Sequence, residues 1–174
     1  VRRLVGSEMC IRDRLLGGSK EGKVGYNITM VIAYIREFFV PQGILGETLE
    51  TAVPWSKVNQ VKDEANKLLT ELHKKYDLPG KPFFCSRISK VYHTGICMYN
   101  TMGINVRGIK NPEKVFSDIE HKIRECFIKN GGSISHHHGV GKLRKDFMPE
   151  TISPGSIDVI PVSYTHLRAH ETTN

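Results

Sequence analysis

The order in which two hydrophobic periodicities alternate along the chain constrains its fold more tightly than any single motif. Val58, Val61, Ala65, Leu68, Leu69 and Leu72 recur every three or four residues, the spacing that lines one face of a helix, and Val115, Ile119, Ile123, Cys126 and Phe127 do the same. Between them lie two strand-like runs, 82–92 and 95–104. In the first, Phe83, Cys85, Arg87 and Ser89 alternate with Phe84, Ser86 and Ile88; in the second, Cys97, Tyr99 and Thr101 alternate with Ile96, Met98 and Asn100. A further run over 43–53 reads as a strand with Leu45, Leu49 and Val53 inward. Strand, helix, two strands and helix predict an α+β fold, with an antiparallel sheet covered by helices on one face.

Local signals punctuate these elements. Ser56 is placed to cap the first helix, Asn111 and Pro112 to open the second, and Asn130-Gly131-Gly132 to stop it through a left-handed cap. Tyr76 to Gly80 reads as a turn, Lys142 to Glu150 as a short basic helix, and Pro154-Gly155 as an interruption. Residues 26–40 carry both periodicities, so their type stays open until Pro41 ends the run.

The two ends are set apart from this pattern by their coding logic. From Val1 with Asn174 to Arg14 with Pro161, every pair of positions equidistant from the two ends has codons that are reverse complements: GTT with AAC, and ATG (Met9) with CAT (His166). The rule breaks at Leu15 with Ile160, after fourteen consecutive matches. An inverted repeat translated in both directions, resembling sequencing-adapter DNA, accounts for residues 1–14 and 161–174, and neither end is expected to pack on the body.

Without those ends, residues 15–160 hold 20 Lys and Arg against 15 Asp and Glu, and three cysteines remain. That mild basic excess suits an anionic small molecule and falls short of the stripe that a nucleic-acid binder requires. Cysteines without a paired pattern point to a reducing compartment. No apolar run reaches eighteen residues.

Chemistry concentrates in Gly132-Ser133-Ile134-Ser135-His136-His137-His138-Gly139-Val140-Gly141-Lys142-Leu143-Arg144-Lys145. Three imidazoles supply proton-transfer groups, glycines allow close backbone approach, and three cations offer anion-binding groups. On an extended segment His136 and His138 would converge while His137 points away. The cysteines lack Cys-x-x-Cys spacing, so no metal is expected. Gly141-Lys142 is followed by Leu143, which excludes a phosphate-binding P-loop. Two further residues stand out: Arg36, a guanidinium fork suited to phosphate or carboxylate, and Tyr92, whose hydroxyl sits beside His93 at a glycine turn.

Four stretches occur in order: Val31-Ile32-Ala33-Tyr34-Ile35-Arg36-Glu37, the run Leu45 to Trp55, Tyr92-His93-Thr94-Gly95, and Gly131 to Lys145. Together they resemble the alkyldihydroxyacetonephosphate synthase family of the vanillyl-alcohol-oxidase superfamily, over essentially all of residues 17–155. The resemblance implies that 15–130 form a cap, or substrate, domain and that 131–160 begin a C-terminal segment facing the flavin, the FAD-binding domain lying outside these residues. It implies FAD as cofactor. The implied reaction exchanges the acyl group of acyl-dihydroxyacetone phosphate for a long-chain fatty alcohol without net redox change, the fragment itself being inactive. By resemblance, Tyr92 is the catalytic acid/base, Arg36 binds substrate, His136, His137 and His138 form the essential histidine stretch, and His137, His138 and Gly139 approach the flavin. A homodimer, peripheral membrane contact, a peroxisomal location and no nucleic-acid partner follow from the family alone. Residues 100–105 are less aromatic than the family pattern, which bears on lipid-chain selectivity. The rival within the superfamily is a FAD-linked oxidase or hydroxyacid dehydrogenase. A zinc or nucleic-acid binding module is the rival from another class, and it leaves Arg36 and Tyr92 without a role.

Overall fold

The computed structural model describes residues 34–168 together with Lys23 and Asn27; the adapter-like stretch 1–14 lies outside the described residues, as does most of the run 26–33. The chain divides into two compact units, 1–43 and 44–174. In the first, residues 34–39 are helical and exposed, which resolves that part of the ambiguous run. A 3-10 turn with Pro41 in its first positions then ends at Gly43, whose φ of 75° is left-handed.

The second unit is built on three antiparallel strands: β1 (Ile44–Pro54), β2 (Phe83–Val91) and β3 (Gly95–Asn105), in the order β1-β3-β2. Leu49 pairs with Asn100, Glu50 with Tyr99 and Val53 with Ile96, while β2 sets Arg87 opposite Tyr99 and carries an irregularity between Ile88 and Lys90. Alternation therefore sends Leu45, Leu49, Thr51 and Val53, with Ile96, Met98, Met102 and Ile104, to one face. It sends Glu50, Cys97 and Tyr99 to the other.

Helices α1 (Val58–Lys75) and α2 (Pro112–Lys129) supply the apolar stripes that join the first face. Val61, Ala65 and Leu69 from α1 and Ile119, Ile123 and Phe127 from α2 are buried with Leu49, Ile96, Met102 and Ile104 in one cluster. This is the two-layer arrangement that the periodicities imply, with α1 and α2 on one face of the sheet.

Both helix starts differ from expectation. α1 begins after a 3-10 turn, Trp55–Lys57, so Ser56 lies inside that turn and caps nothing. Asn111 precedes Pro112 as foreseen, but in the left-handed conformation (φ 57°) and without a side-chain cap bond. The end of α2 matches: Gly131 has φ 80°, Gly131 N–H donates to Ile128 O and Gly132 N–H donates to Phe127 O. The basic helix expected over 142–150 is two pieces, α3 (Gly141–Arg144) and a 3-10 stretch, Lys145–Glu150, because Pro149 lacks the donor that a longer α-helix needs. Pro154-Gly155 opens α4 (Pro154–Arg168), proline suiting a first helical position.

Candidate active site

The segment after α2 is pinned to the sheet before it reaches the histidines. β1 is an edge strand, and Ser133 completes that edge: its N–H donates to Ala52 O at 3.0 Å and its hydroxyl accepts from Ala52 N–H at 2.9 Å. Thr51 Oγ1 donates to Ser133 O at 2.9 Å. A Cβ on Gly132 would lie 2.3 Å from Thr51 Oγ1 and 2.8 Å from Phe127 O, so only glycine lets the chain pass between strand and helix.

Past this anchor the backbone curls around one carboxylate. Glu50, 1% exposed, accepts on Oε1 from Ser135 Oγ at 2.9 Å and from the backbone N–H groups of His136, His137 and His138 at 2.7, 2.6 and 2.6 Å. Successive N–H groups aimed at one point form an anion-binding nest, here filled by the protein's own side chain. Burial works against the charged form, yet the donors from His138, His136, His137 and Ser135 outweigh it and hold the carboxyl at about 2, down from 4.5. Glu50 Oε2 is buried without a well-aligned hydrogen bond, and His137 Nδ1 faces it in ion-pair contact.

This curl removes the alternation expected of an extended segment. His137 does not point away: its Nδ1 lies 3.0 Å from His136 Nδ1, and its ring meets the His138 ring edge-to-face at 4.6 Å. His136 Nε2 in turn lies 2.6 Å from the Tyr92 hydroxyl. Tyr92 is positioned at the β2–β3 turn by its N–H to Gly95 O at 2.8 Å and by Trp55 Nε1 donating to Tyr92 O at 3.1 Å. The residue remains 46% exposed. A continuous polar line results: Tyr92 Oη, His136, His137, Glu50.

Tyr99 backs this line from the same sheet face. Its ring stacks near His137 at 6.1 Å and meets His138 edge-on at 5.4 Å, while the Arg87 guanidinium lies 4.5 Å over its centroid. Partial desolvation pushes the His138 imidazole down, the Glu50 charge opposing and the neighbouring His137 and Arg144 charges adding.

The cations beyond Gly139 divide. Arg144 turns inward, 7% exposed, and braces the loop by donating to Gly139 O at 2.8 Å, while its Nε is buried without a hydrogen-bond partner. Lys142 and Lys145 are exposed. Gly139 has φ 78°, and a Cβ there would meet nothing. Arg36 lies in the other compact unit, exposed within the helical residues 34–39. A depression of about 590 Å³ at the C-terminal end of α1, lined by Thr70, His73, Lys74, Leu78 and Lys81 among others, contains none of the residues singled out from sequence.

Two residues of the site escape a reading by motif. Glu50 sits in a strand where a lone acid reads as solvent-facing, and its partners lie up to 88 positions away. Cys97 joins Glu50, His136 and His137 with ligand atoms within 4.8 Å of one another, a geometry that could hold a metal and that cysteine spacing cannot reveal. Burial pushes the Cys97 thiol up, which works against the thiolate that such a site needs.

Among known proteins, alkyldihydroxyacetonephosphate synthase from Caenorhabditis elegans is 41% identical over 137 residues, 79% of this chain and 23% of that protein. The enzyme of the same name from Dictyostelium discoideum is 26% identical over 142 residues, 82% of this chain and 23% of its own length. A solved structure of alkyldihydroxyacetonephosphate synthase superposes with a TM-score of 0.54 at 21% identity, covering 69% of this chain and 22% of that one, which shows a shared fold. The chain thus spans about a quarter of the length of these relatives. The family model described as FAD linked oxidases, C-terminal domain, matches residues 20–160, and the chain belongs to that family.

Proposed function

We propose that this chain is the substrate-facing part of a flavoenzyme of ether-lipid synthesis, which exchanges the acyl group of acyl-dihydroxyacetone phosphate for a long-chain fatty alcohol. The observation that carries the reading is the 2.6 Å contact between the hydroxyl of the exposed Tyr92 and His136 Nε2, in a line leading to Glu50 on the sheet face opposite α1 and α2. The identity to synthases of that name from two organisms supports it. A phenol titrates near about 10, so it serves as a base at neutral pH only where donors favour its ionised form. His136 Nε2 stands where such a donor is needed, and in this reading Tyr92 takes a proton from the substrate carbon beside the ketone and returns it later. Arg36 offers a planar fork that suits the substrate phosphate.

The residues present fit a flavin: the exposed imidazoles of His137 and His138 and the unobstructed backbone at Gly139 suit the flat, hydrogen-bonding edge of its ring. When bound, FAD supplies an electrophilic ring system that the side chains of this chain lack. In the whole protein this reading extends to a peroxisomal homodimer in peripheral contact with membrane, on family resemblance; no helix among the described residues is long and apolar enough to cross one.

Tyr92→Phe in the full-length enzyme tests the reading. Alkyl exchange should fall by at least about a hundredfold while flavin content and melting temperature hold. Turnover that survives removes Tyr92 from the mechanism. A wild-type enzyme that oxidises lactate or glycolate and ignores acyl-dihydroxyacetone phosphate replaces the proposed reaction with that of a hydroxyacid dehydrogenase.

A further inference from the structure

We propose that Glu50 is a positioning residue that sets the direction of the hydrogen-bond line ending on Tyr92, fixing His136 as the tautomer whose Nε2–H donates to the phenol oxygen. The inference rests on the proton-transfer role of Tyr92 given above.

The direction follows from counting donors. A carboxylate that is ionised offers acceptors and negative charge only, so it favours a proton on whichever nitrogen lies nearest to Glu50 Oε2. The nearest is His137 Nδ1, in ion-pair contact and off the hydrogen-bond direction, while His136 Nδ1 stands farther off at 4.0 Å, so the carboxylate charge favours the proton on His137 Nδ1, from where it points to His136. The neighbouring nitrogen, His136 Nδ1, lies 3.0 Å from His137 Nδ1, and two N–H groups cannot face each other at that distance, so His136 Nδ1 is the acceptor. A neutral imidazole has one proton, which places it on His136 Nε2, 2.6 Å from the Tyr92 oxygen. His136 thus donates to Tyr92 and stabilises the phenolate. With the proton on Nδ1, His136 would instead accept from the phenol and hold it neutral.

The nest of N–H groups makes this assignment robust. Oε1 is engaged by Ser135 and three backbone donors, which orients the carboxylate and leaves Oε2 for His137. Tyr99, Arg87 and Cys97 share the sheet face with Glu50, and Arg144 braces the loop from beyond Gly139. None of them stands between Oε2 and His137.

Glu50→Gln separates this role from simple loop anchoring. A glutamine keeps an oxygen for the nest but puts an amide NH2 where Oε2 was, so His137 Nδ1 becomes an acceptor and the line reverses. The measurement is nitrogen NMR of the full-length flavin-loaded enzyme labelled with 15N in histidine, at about pH 8, above the ordinary range of a free imidazole. Wild type should show His136 with a protonated Nε2 and a bare Nδ1, and His137 with a protonated Nδ1. In Glu50→Gln the His136 proton should move to Nδ1, and kcat should fall about tenfold or more with KM within about twofold. Glu50→Asp, still an acceptor, should restore the wild-type tautomers and part of kcat. The proposal is overturned by a wild-type His136 protonated on Nδ1, or by Glu50→Gln leaving the tautomers and kcat unchanged. It is equally overturned by stoichiometric zinc with both Nδ1 atoms bare, which would make Glu50, Cys97, His136 and His137 a metal site. Should the glutamine variant fail to fold, the wild-type and Glu50→Asp spectra decide alone. Because tautomers are read without turnover, failure of this inference is distinguishable from failure of the proposed reaction, which shows as absent alkyl exchange in wild type.

Discussion

A buried carboxylate survives at position 50 because four donors converge on one of its oxygens, and this has a measurable acid limb. The carboxyl sits at about 2 in the fold against 4.5 unperturbed, so its charge stabilises the native state fully above pH 4.5. That stabilisation fades as pH falls from 4.5 towards 2, because a depressed pKa means that the unfolded chain takes up the proton first. The difference corresponds to about 3 kcal/mol. Melting temperature followed from pH 7 to pH 2 should therefore drop more steeply in wild type than in Glu50→Gln, the two curves running parallel above about pH 5. Parallel curves throughout would mean that the nest does not hold a charged group. At this scale the residues that sequence makes legible are those whose type is unusual in itself: Tyr92 beside a glycine turn and three consecutive histidines. Glu50 is hidden because its role comes from backbone donors on a segment folded back from beyond α2, and composition carries no trace of that. Arg144, one cation of the basic run, turns inward to Gly139 O, a contact that composition does not show either.

The elements were readable where apolar periodicity decides them and obscure where a single cap does. α1 and α2 bury Val61, Ala65, Leu69, Ile119, Ile123 and Phe127, the positions that helical spacing selects, because burying a stripe outweighs any local preference. Ser56 and Asn111 fail as caps: a 3-10 turn carries the first helix past Ser56, and left-handed backbone at Asn111 goes without a side-chain bond. The junction between α2 and the histidine loop is the most constrained of these ends. Gly132 has its N–H on Phe127 O, and a methyl there would enter the van der Waals space of Thr51 Oγ1 and Phe127 O. Gly132→Ala should cost about 1–3 kcal/mol, read as a lower denaturation midpoint with an unchanged slope. It should also loosen the loop that presents His136 to Tyr92. A variant as stable as wild type would mean that the strand edge at Thr51 and Ala52 yields easily, and that Ser133 is not the anchor described.

At the scale of the whole molecule, one sheet face is closed by two helices and the other carries the polar line from Tyr92 to Glu50, so stability and chemistry occupy opposite sides of a single layer. The antiparallel sheet and the packing of α1 and α2 on one of its faces were legible because period-two and period-3.6 runs alternate in an order that few architectures accommodate. The division at Gly43 was legible only as the stop that Pro41 makes, which in sequence separates two elements and not two units. The C-terminal region offers a direct test of how far the body extends. α4 runs through Pro161, and Val159, Ile160, Val162 and Tyr164 are 62, 48, 57 and 58% exposed, so its apolar side chains contribute little buried area. Helices of this length are marginal unless they bury a face, and the residues from 161 onward are those whose codons mirror the opposite end. Deleting residues 161–174 should therefore leave the unfolding midpoint and m-value unchanged within error, and leave the hydrogen-exchange protection of β1 and β3 amides intact. A loss of more than about 1 kcal/mol would show that α4 packs on the body and that the terminal stretch belongs to the fold.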